Sequence, residues 1–299
     1  MIKKMFLNQK ESRLRAGWRI FIFIFFYLVL SRIFNEVSSK VIGRLDRTTW
    51  SWWVGRGFMV IIASTCVVWF IRKYIDKKSF ISLGLRLNGS AVKDFFVGLG
   101  ISGLMIETLF VVFLISGLLE IKEIGWNSSG FSAVFGILFW FFGVGLAVGW
   151  SEVLTFRGYL LQNMKDGMGI WWAVLLSCIL YGLLHMSNPN SSVLSGVLIA
   201  IIGYVRIFGW LRTGQLWLSM GMHAGWDFFQ GSVLGFTVSG MKTESLIKHT
   251  TSGASWLTGG SFGPEAGILV IPFVILGLVI MYVWTAKREN TPWNEKKER

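Results

Sequence analysis

The chain has 299 residues, 53% of them hydrophobic and 16% aromatic, with a mean hydropathy of +0.58 and only 15% charged. Soluble domains carry about 25% charged residues, so this composition excludes an ordinary soluble domain and fits a polytopic membrane protein. The net charge of +13 does not argue for a nucleic-acid partner. The basic residues fall in short blocks between apolar runs, where such blocks meet anionic lipid headgroups and set orientation.

In chain order, the basic stretch MIKKMFLNQKESRLRAGWRI leads into an apolar run without a small-residue cleavage site, which predicts an uncleaved first helix rather than a signal peptide. Apolar periodicity predicts helices over 18–34, 53–71, 95–119, 131–164, 170–185, 193–210, 216–238 and 266–284. Several approach the ~20 residues that cross a ~30 Å hydrocarbon core. The expected fold is all-α: a single membrane domain over 1–299, a bundle of about eight transmembrane helices around a polar cavity. Gly is abundant throughout the spans (35), as expected where helices pack closely in lipid. Cys66 and Cys178 each lie in an apolar run and suggest packing, not a disulfide framework. The N-terminal segment, the loop RKYIDKKSFISLGLRLNGSAVKD and the tail KRENTPWNEKKER are rich in Lys and Arg, whereas EIKEIGWNSSG is poor in them. With an even span count this places both termini in the cytoplasm. Before the last helix, Gly259, Gly260 and Gly263 suit a tight turn, and Pro264 and Glu265 suit the first helical turn.

Ionisable residues inside spans are functional candidates, because each costs at least ~2.5 kcal/mol at the bilayer centre. Here they are Glu107, Glu152, Arg157, His185, Arg206, His223 and Asp227. Tyr181 and His185 lie four apart, as do His223 and Asp227, so each pair shares a helical face. Glu152 and Arg157 are five apart, about 140° around an α-helix. That spacing gives no easy local ion pair and sends Arg157 to another helix or to loop carbonyls. Glu107 is expected to pair with Arg157 or Arg206. Two imidazoles and carboxylates on separate helices form a hydrolytic set. A buried carboxylate can serve as general base for water, His₂Glu can hold a metal with a place left for water, or a histidine can stabilise an oxyanion. Spacing alone equally allows buried polar residues that join helices or line a transport path.

Three segments in order, EVLTFRGYLLQ, YGLLHMSNP and GMHAGWDFFQG, resemble the CPBP intramembrane protease family, which includes the type II CAAX prenyl endopeptidases and bacterial bacteriocin-processing or immunity proteins. Its pattern is E-E-x-x-x-R, then F-x-x-x-H, then H-x-x-x-N or D. The matching core spans 131–234. The resemblance implies that Glu152 and His185 activate water, that His223 and Asp227 stabilise the oxyanion, and that Arg157 and Tyr181 support the site. It leaves open a divalent metal such as zinc, held by Glu152, His185 and His223, or a metal-free glutamate/histidine mechanism. It also implies a bacterial cell-membrane location and a substrate that is a membrane-anchored protein or a hydrophobic peptide. Three positions depart from the pattern. Val153 replaces the second glutamate, Tyr181 replaces phenylalanine and adds a hydroxyl, and Asp227 is an anion where asparagine would donate an amide hydrogen. The sequence therefore carries three readings: an intramembrane endopeptidase, an inactive homologue acting as an immunity or binding protein, and a transporter using the cavity.

Overall fold

Long apolar runs can satisfy their backbone in lipid only as helices or closed barrels, and helices dominate here. The computed structural model describes residues 6–8, 13–41, 43, 50–125, 136, 140–242, 245–288 and 291–292. The helices are α1 (Ala16–Val41), α2 (Trp50–Tyr74) and α3 (Gly89–Ile115), followed by α4, which runs without a break through Phe141–Gly145, Leu146–Glu152, Val153–Leu160 and Leu161–Met168. Next come α5 (Ile170–His185), α6 (Val193–Thr213), α7 (Trp217–Asp227, continuing through Phe228–Val233) and α8 (Ile271–Trp284). Among the described residues, Ala16–Val37, Val54–Tyr74, Gly89–Ile115 and Val193–Thr213 are long and apolar enough to cross a membrane, and Ile170–His185 and Ile268–Trp284 are shorter apolar helices. The predicted start of the fourth helix at Phe131 lies outside the described residues.

Cap chemistry moves two boundaries. The third helix starts at Gly89, not Phe95, because the Asn88 side chain accepts from the Ala91 N–H at 2.9 Å and anchors a polar first turn. It also ends early, at Ile115, just before Gly117, whose φ of 72° suits glycine. The next residues form β3 (Leu119–Ile124), which pairs antiparallel with β4 (Ile247–Thr251). A second, smaller ribbon pairs β1 (Leu7–Asn8) with β2 (Arg13–Leu14). The helical reading did not anticipate either ribbon.

The helix ends sort onto two faces. On one, Arg13 and Lys78 meet Asp166 past the last apolar turn of α4, Arg288 meets Asp94 at the start of α3, and Arg212 at the end of α6 donates to Thr285. On the other lie the β3–β4 ribbon, the turn after α5 and the loop after α7, where the Gly240 N–H donates to the Phe262 carbonyl at 2.7 Å. The first face is held by Asp76, which is fully buried. It accepts from Arg72 at 2.9 Å, Tyr159 at 3.0 Å and Asn163 at 3.3 Å, so it ties the end of α2 to α4.

Outward surfaces of α1, α5 and α8 carry large apolar side chains, among them Phe21, Leu28, Trp172, Leu183, Ile275 and Val283, as lipid-facing helices do. Inside, one apolar core includes Met105, Leu109, Phe113, Ile202, Met222 and Val274, and a second includes Phe23, Val67, Ile71, Val153, Leu154 and Leu216. Phe156 and Tyr204 pack against both. The central helix α7 is buried along nearly its whole length. It lies so close to α3 that a Cβ on Gly221 would run into the Phe95 carbonyl oxygen and one on Gly98 into that of Leu218. Small residues allow this approach, which is the main source of helix association in lipid.

Candidate functional site

Glu152 occupies the last position of an α-helical stretch, and the next turns, Val153–Leu160, are π-helical. Such widened turns occur often at functional sites. Because α4 continues to Met168, Glu152 lies well inside the helix and not at its end. Tyr181 and His185 come from the last turns of α5, and His223 and Asp227 come from the middle of α7. Together with Arg206 of α6, these five side chains line one cavity of about 310 Å³. Helical spacing explains the pairing within α5 and within α7; the packing of α4 against α7 brings the pairs together.

Tyr181 is the hub of the cluster. Its hydroxyl donates to Glu152 Oε2 at 2.8 Å and accepts from Arg206 Nη1 at 2.8 Å. Its backbone carbonyl lies 2.8 Å from His185 Nδ1, and the two rings are 4.3 Å apart. That bond leaves His185 Nε2 as the ring atom available to the cavity. His223 Nε2 sits between two carboxylates, 3.7 Å from Glu152 Oε2 and 3.7 Å from Asp227 Oδ2. These distances suit electrostatic coupling but exceed a hydrogen bond. Glu152 retains 27% side-chain exposure, whereas His223 retains 3%, so the carboxylate is the group that meets solvent in the cavity.

Arg157 does not line the cavity. Its guanidinium is buried, donates to the Gly203 carbonyl of α6 at 3.4 Å and stacks 4.2 Å over the Tyr181 ring, a cation–π contact that supports the ring from behind. The Glu107 expectation is corrected: Glu107 faces outward on α3, while Arg157 and Arg206 find their partners on α6 and α5. Glu265 lies in the 3-10 turn Pro264–Ala266 ahead of α8, and its carboxylate does more than favour a helix start. It accepts from Trp226 Nε1 at 2.8 Å and from Ser239 Oγ at 2.8 Å, pinning the loop after α7 to the cavity wall. Val153 is fully buried in the apolar core and takes no part in the cavity wall. The third histidine, His249, packs on Phe110 and Phe236 in the outer ribbon, where burial pushes its imidazole down to about 4.

Sequence reasoning missed one participant and the partner of another. Arg206 was visible as a cation in an apolar span, but its partner was not, because the Tyr181 hydroxyl reaches it from another helix. Asp76 sat in a basic loop that reads as solvated.

The donors do not gather into a metal site. Among the described residues no three His, Cys, Asp or Glu side chains converge on one point. Glu152 Oε2 is occupied by the Tyr181 hydroxyl and His185 Nδ1 by a carbonyl. These bonds leave His185 Nε2 and Glu152 Oε1 unused, so what argues against a metal held by Glu152, His185 and His223 is that no three such donors converge among the described residues, and the chemistry derived for the site runs through the side chains alone.

Residues 134–229 match the family model of the type II CAAX prenyl endopeptidase Rce1-like proteins, in agreement with the resemblance carried by the three motifs. The uncharacterized protein YyaK of Bacillus subtilis (strain 168) is 32% identical over 83 residues, which cover 26% of this chain and 28% of that protein. The alignment thus spans little more than a quarter of the curated relative's length. The matched segment contains Glu152, Tyr181, His185, Arg206, His223 and Asp227, but not Ser239 or Glu265.

Proposed function

We propose that the protein is an intramembrane endopeptidase that hydrolyses peptide bonds of membrane-anchored proteins or hydrophobic peptides, with both termini in the cytoplasm. The observation that carries this reading is the convergence of Glu152, His185, His223 and Asp227, from three helices, on one cavity. Glu152, the most solvent-accessible of the coupled acids, takes a proton from a water in the cavity. The hydroxide oxygen adds to the scissile carbonyl, and the proton passes to the departing amine as the C–N bond breaks. His185 offers Nε2 to the same water. His223, flanked by two carboxylates, faces the developing oxyanion, and Asp227 holds it in that environment. No proton from Asp227 is needed in this scheme, which accommodates the carboxylate found where the motif allows asparagine. The Val153 side chain is turned into the apolar core, so only the Glu152 carboxylate of this motif acts on the water in this scheme.

Val153 does favour one second reading, a binding or immunity protein that uses the same cavity without cleaving. The two are separated by incubating the purified protein in lipid nanodiscs with a quenched-fluorescent library of hydrophobic peptides, with and without a C-terminal prenyl group. The endopeptidase reading expects peptide products that disappear with Glu152→Ala and His185→Ala. Saturable peptide binding with no product from the wild-type protein would establish the second reading instead.

A further inference from the structure

The chain's two faces carry different chemistry, and the cavity opens on one of them. We infer that the cavity mouth lies on the extracytoplasmic side of the membrane, so that the substrate is an apolar, extended peptide segment presented from outside the cell. This inference rests on the endopeptidase reading for its substrate, but not for its orientation.

Helix direction fixes the geometry. α4 descends from the ribbon face to the basic face, α5 returns, α6 descends and α7 returns, as the contacts at each end require. Lys78 and Arg13 reach Asp166 at the end of α4. The indole N–H of Trp217, at the start of α7, donates to the Arg86 carbonyl at 2.9 Å. The Trp284 indole, at the end of α8, donates to Asp94 at the start of α3 at 2.9 Å. These contacts collect Arg13, Arg72, Lys78, Lys165, Arg212 and Arg288 on one face. An excess of Lys and Arg in short connections marks the cytoplasmic side.

The cavity belongs to the other face. His185 is the final residue of α5, and Asn188 in the following turn also lines the cavity. So do Ser239, Met241 and Lys242 from the loop after α7. The two loops meet at the mouth, where a Cβ on Gly240 would run into the Pro189 carbonyl oxygen. The α4 side chains in the wall, from Val144 to Phe156, come almost entirely from the half of that helix farther from the basic face, and the α6 contributors Ile199, Ile202 and Arg206 all lie before its last two turns. Toward the basic face, Arg157, Tyr159 and Asn163 of α4 are buried and do not line the cavity. The wall is largely apolar and includes Val144, Val148 and Trp226. Such a wall favours a peptide with apolar side chains over a charged one, and a peptide in this position reaches it from the outer surface.

Orientation and substrate are tested in two steps with the full chain. In a variant carrying Cys66→Ala and Cys178→Ala, single cysteines are placed by Asn188→Cys at the mouth and by Lys78→Cys on the basic face. Intact cells are then treated with a membrane-impermeant maleimide. The inference expects labelling of Asn188→Cys in intact cells and of Lys78→Cys only after permeabilisation. The reverse pattern overturns it. The best-cleaved peptide of the quenched-fluorescent library is then added to right-side-out and to inverted vesicles. Cleavage confined to right-side-out vesicles supports the substrate side, and cleavage confined to inverted vesicles overturns it. If the wild-type protein in nanodiscs cuts nothing, the endopeptidase reading and the substrate assignment fall together, while the maleimide pattern still decides the direction in which the cavity opens.

Discussion

Asp76→Asn is the perturbation whose size follows most directly from the packing. The change keeps the shape and one acceptor oxygen but removes the only anion in direct contact with Arg72 among the described residues. The Asp76 carboxylate is fully buried and accepts from Arg72, Tyr159 and Asn163, with Arg19 Nη1 3.9 Å away. Removing one partner of a buried ion pair costs about 3–5 kcal/mol, because the other charge stays buried. The low end applies here, since Arg72 keeps Ser82 at 3.0 Å and Arg19 keeps Asp166 at 3.4 Å. About 3 kcal/mol corresponds to a fall of about 6–12 °C in the unfolding midpoint, at about 2–4 °C per kcal/mol for chains of somewhat smaller size. The assay is thermal unfolding of the purified protein in nanodiscs. Glu123→Gln serves as the reference, because it breaks the exposed Lys248–Glu123 pair at 2.9 Å, and an exposed pair contributes about 0–1 kcal/mol. A fall for Asp76→Asn no larger than for Glu123→Gln would refute the view that this cluster clamps α2 to α4.

Three further outcomes follow. Tyr181→Phe, which removes the hydroxyl between Arg206 and Glu152, lowers kcat about 10- to 100-fold, the value of one hydrogen bond to a charged group. KM stays within about twofold, because the contact acts on Glu152 and not on substrate binding; peptide cleavage kinetics measure both. Asp166 would be raised by burial, but Lys78 and Arg13 outweigh that and hold its carboxyl below the ordinary carboxylate value. Its contribution is therefore fully present above about pH 4, the unfolded value, and is lost as pH falls through the lower folded value. Unfolding midpoints of wild type and Asp166→Asn should differ by a constant amount from neutral pH down to about pH 5 and converge in stronger acid. Gly221→Ala forces α7 away from α3 two residues before His223, so it lowers both the unfolding midpoint and the cleavage rate, as an overpacked contact does.

Much of the helical plan was legible because lipid leaves the backbone few alternatives. The apolar runs and the flanking charges then mark where each span begins and ends. The site residues were legible for the converse reason, since an ionisable side chain in such a run is costly and stands out. Tyr181 shows the limit of this logic. Its spacing to His185 was readable, but its bonds to Glu152 and Arg206 depend on how α4, α5 and α6 meet, which no local pattern encodes. The β3–β4 ribbon was missed because its two strands are far apart in sequence and short, with the alternation of Leu119–Ile124 interrupted by a register shift between Ile121 and Glu123. Glu107 was misread because a single helix does not reveal which of its faces meets lipid. Val153 illustrates the same point in another way: the motif comparison shows which residue is missing, but not that its replacement packs into the apolar core.

The central claim is that Glu152 activates water for attack on a peptide bond. It is tested most directly by a single turnover of the best-cleaved peptide in H₂¹⁸O, with mass spectrometry of both the product and the Glu152-containing peptide. The account predicts one ¹⁸O in the new product carboxylate and none in Glu152, with Glu152→Gln slowing product formation by about 100-fold or more, as loss of a general base does, while the protein remains folded. Label appearing in Glu152 during that first turnover, or label entering product at an undiminished rate with Glu152→Gln, would contradict it.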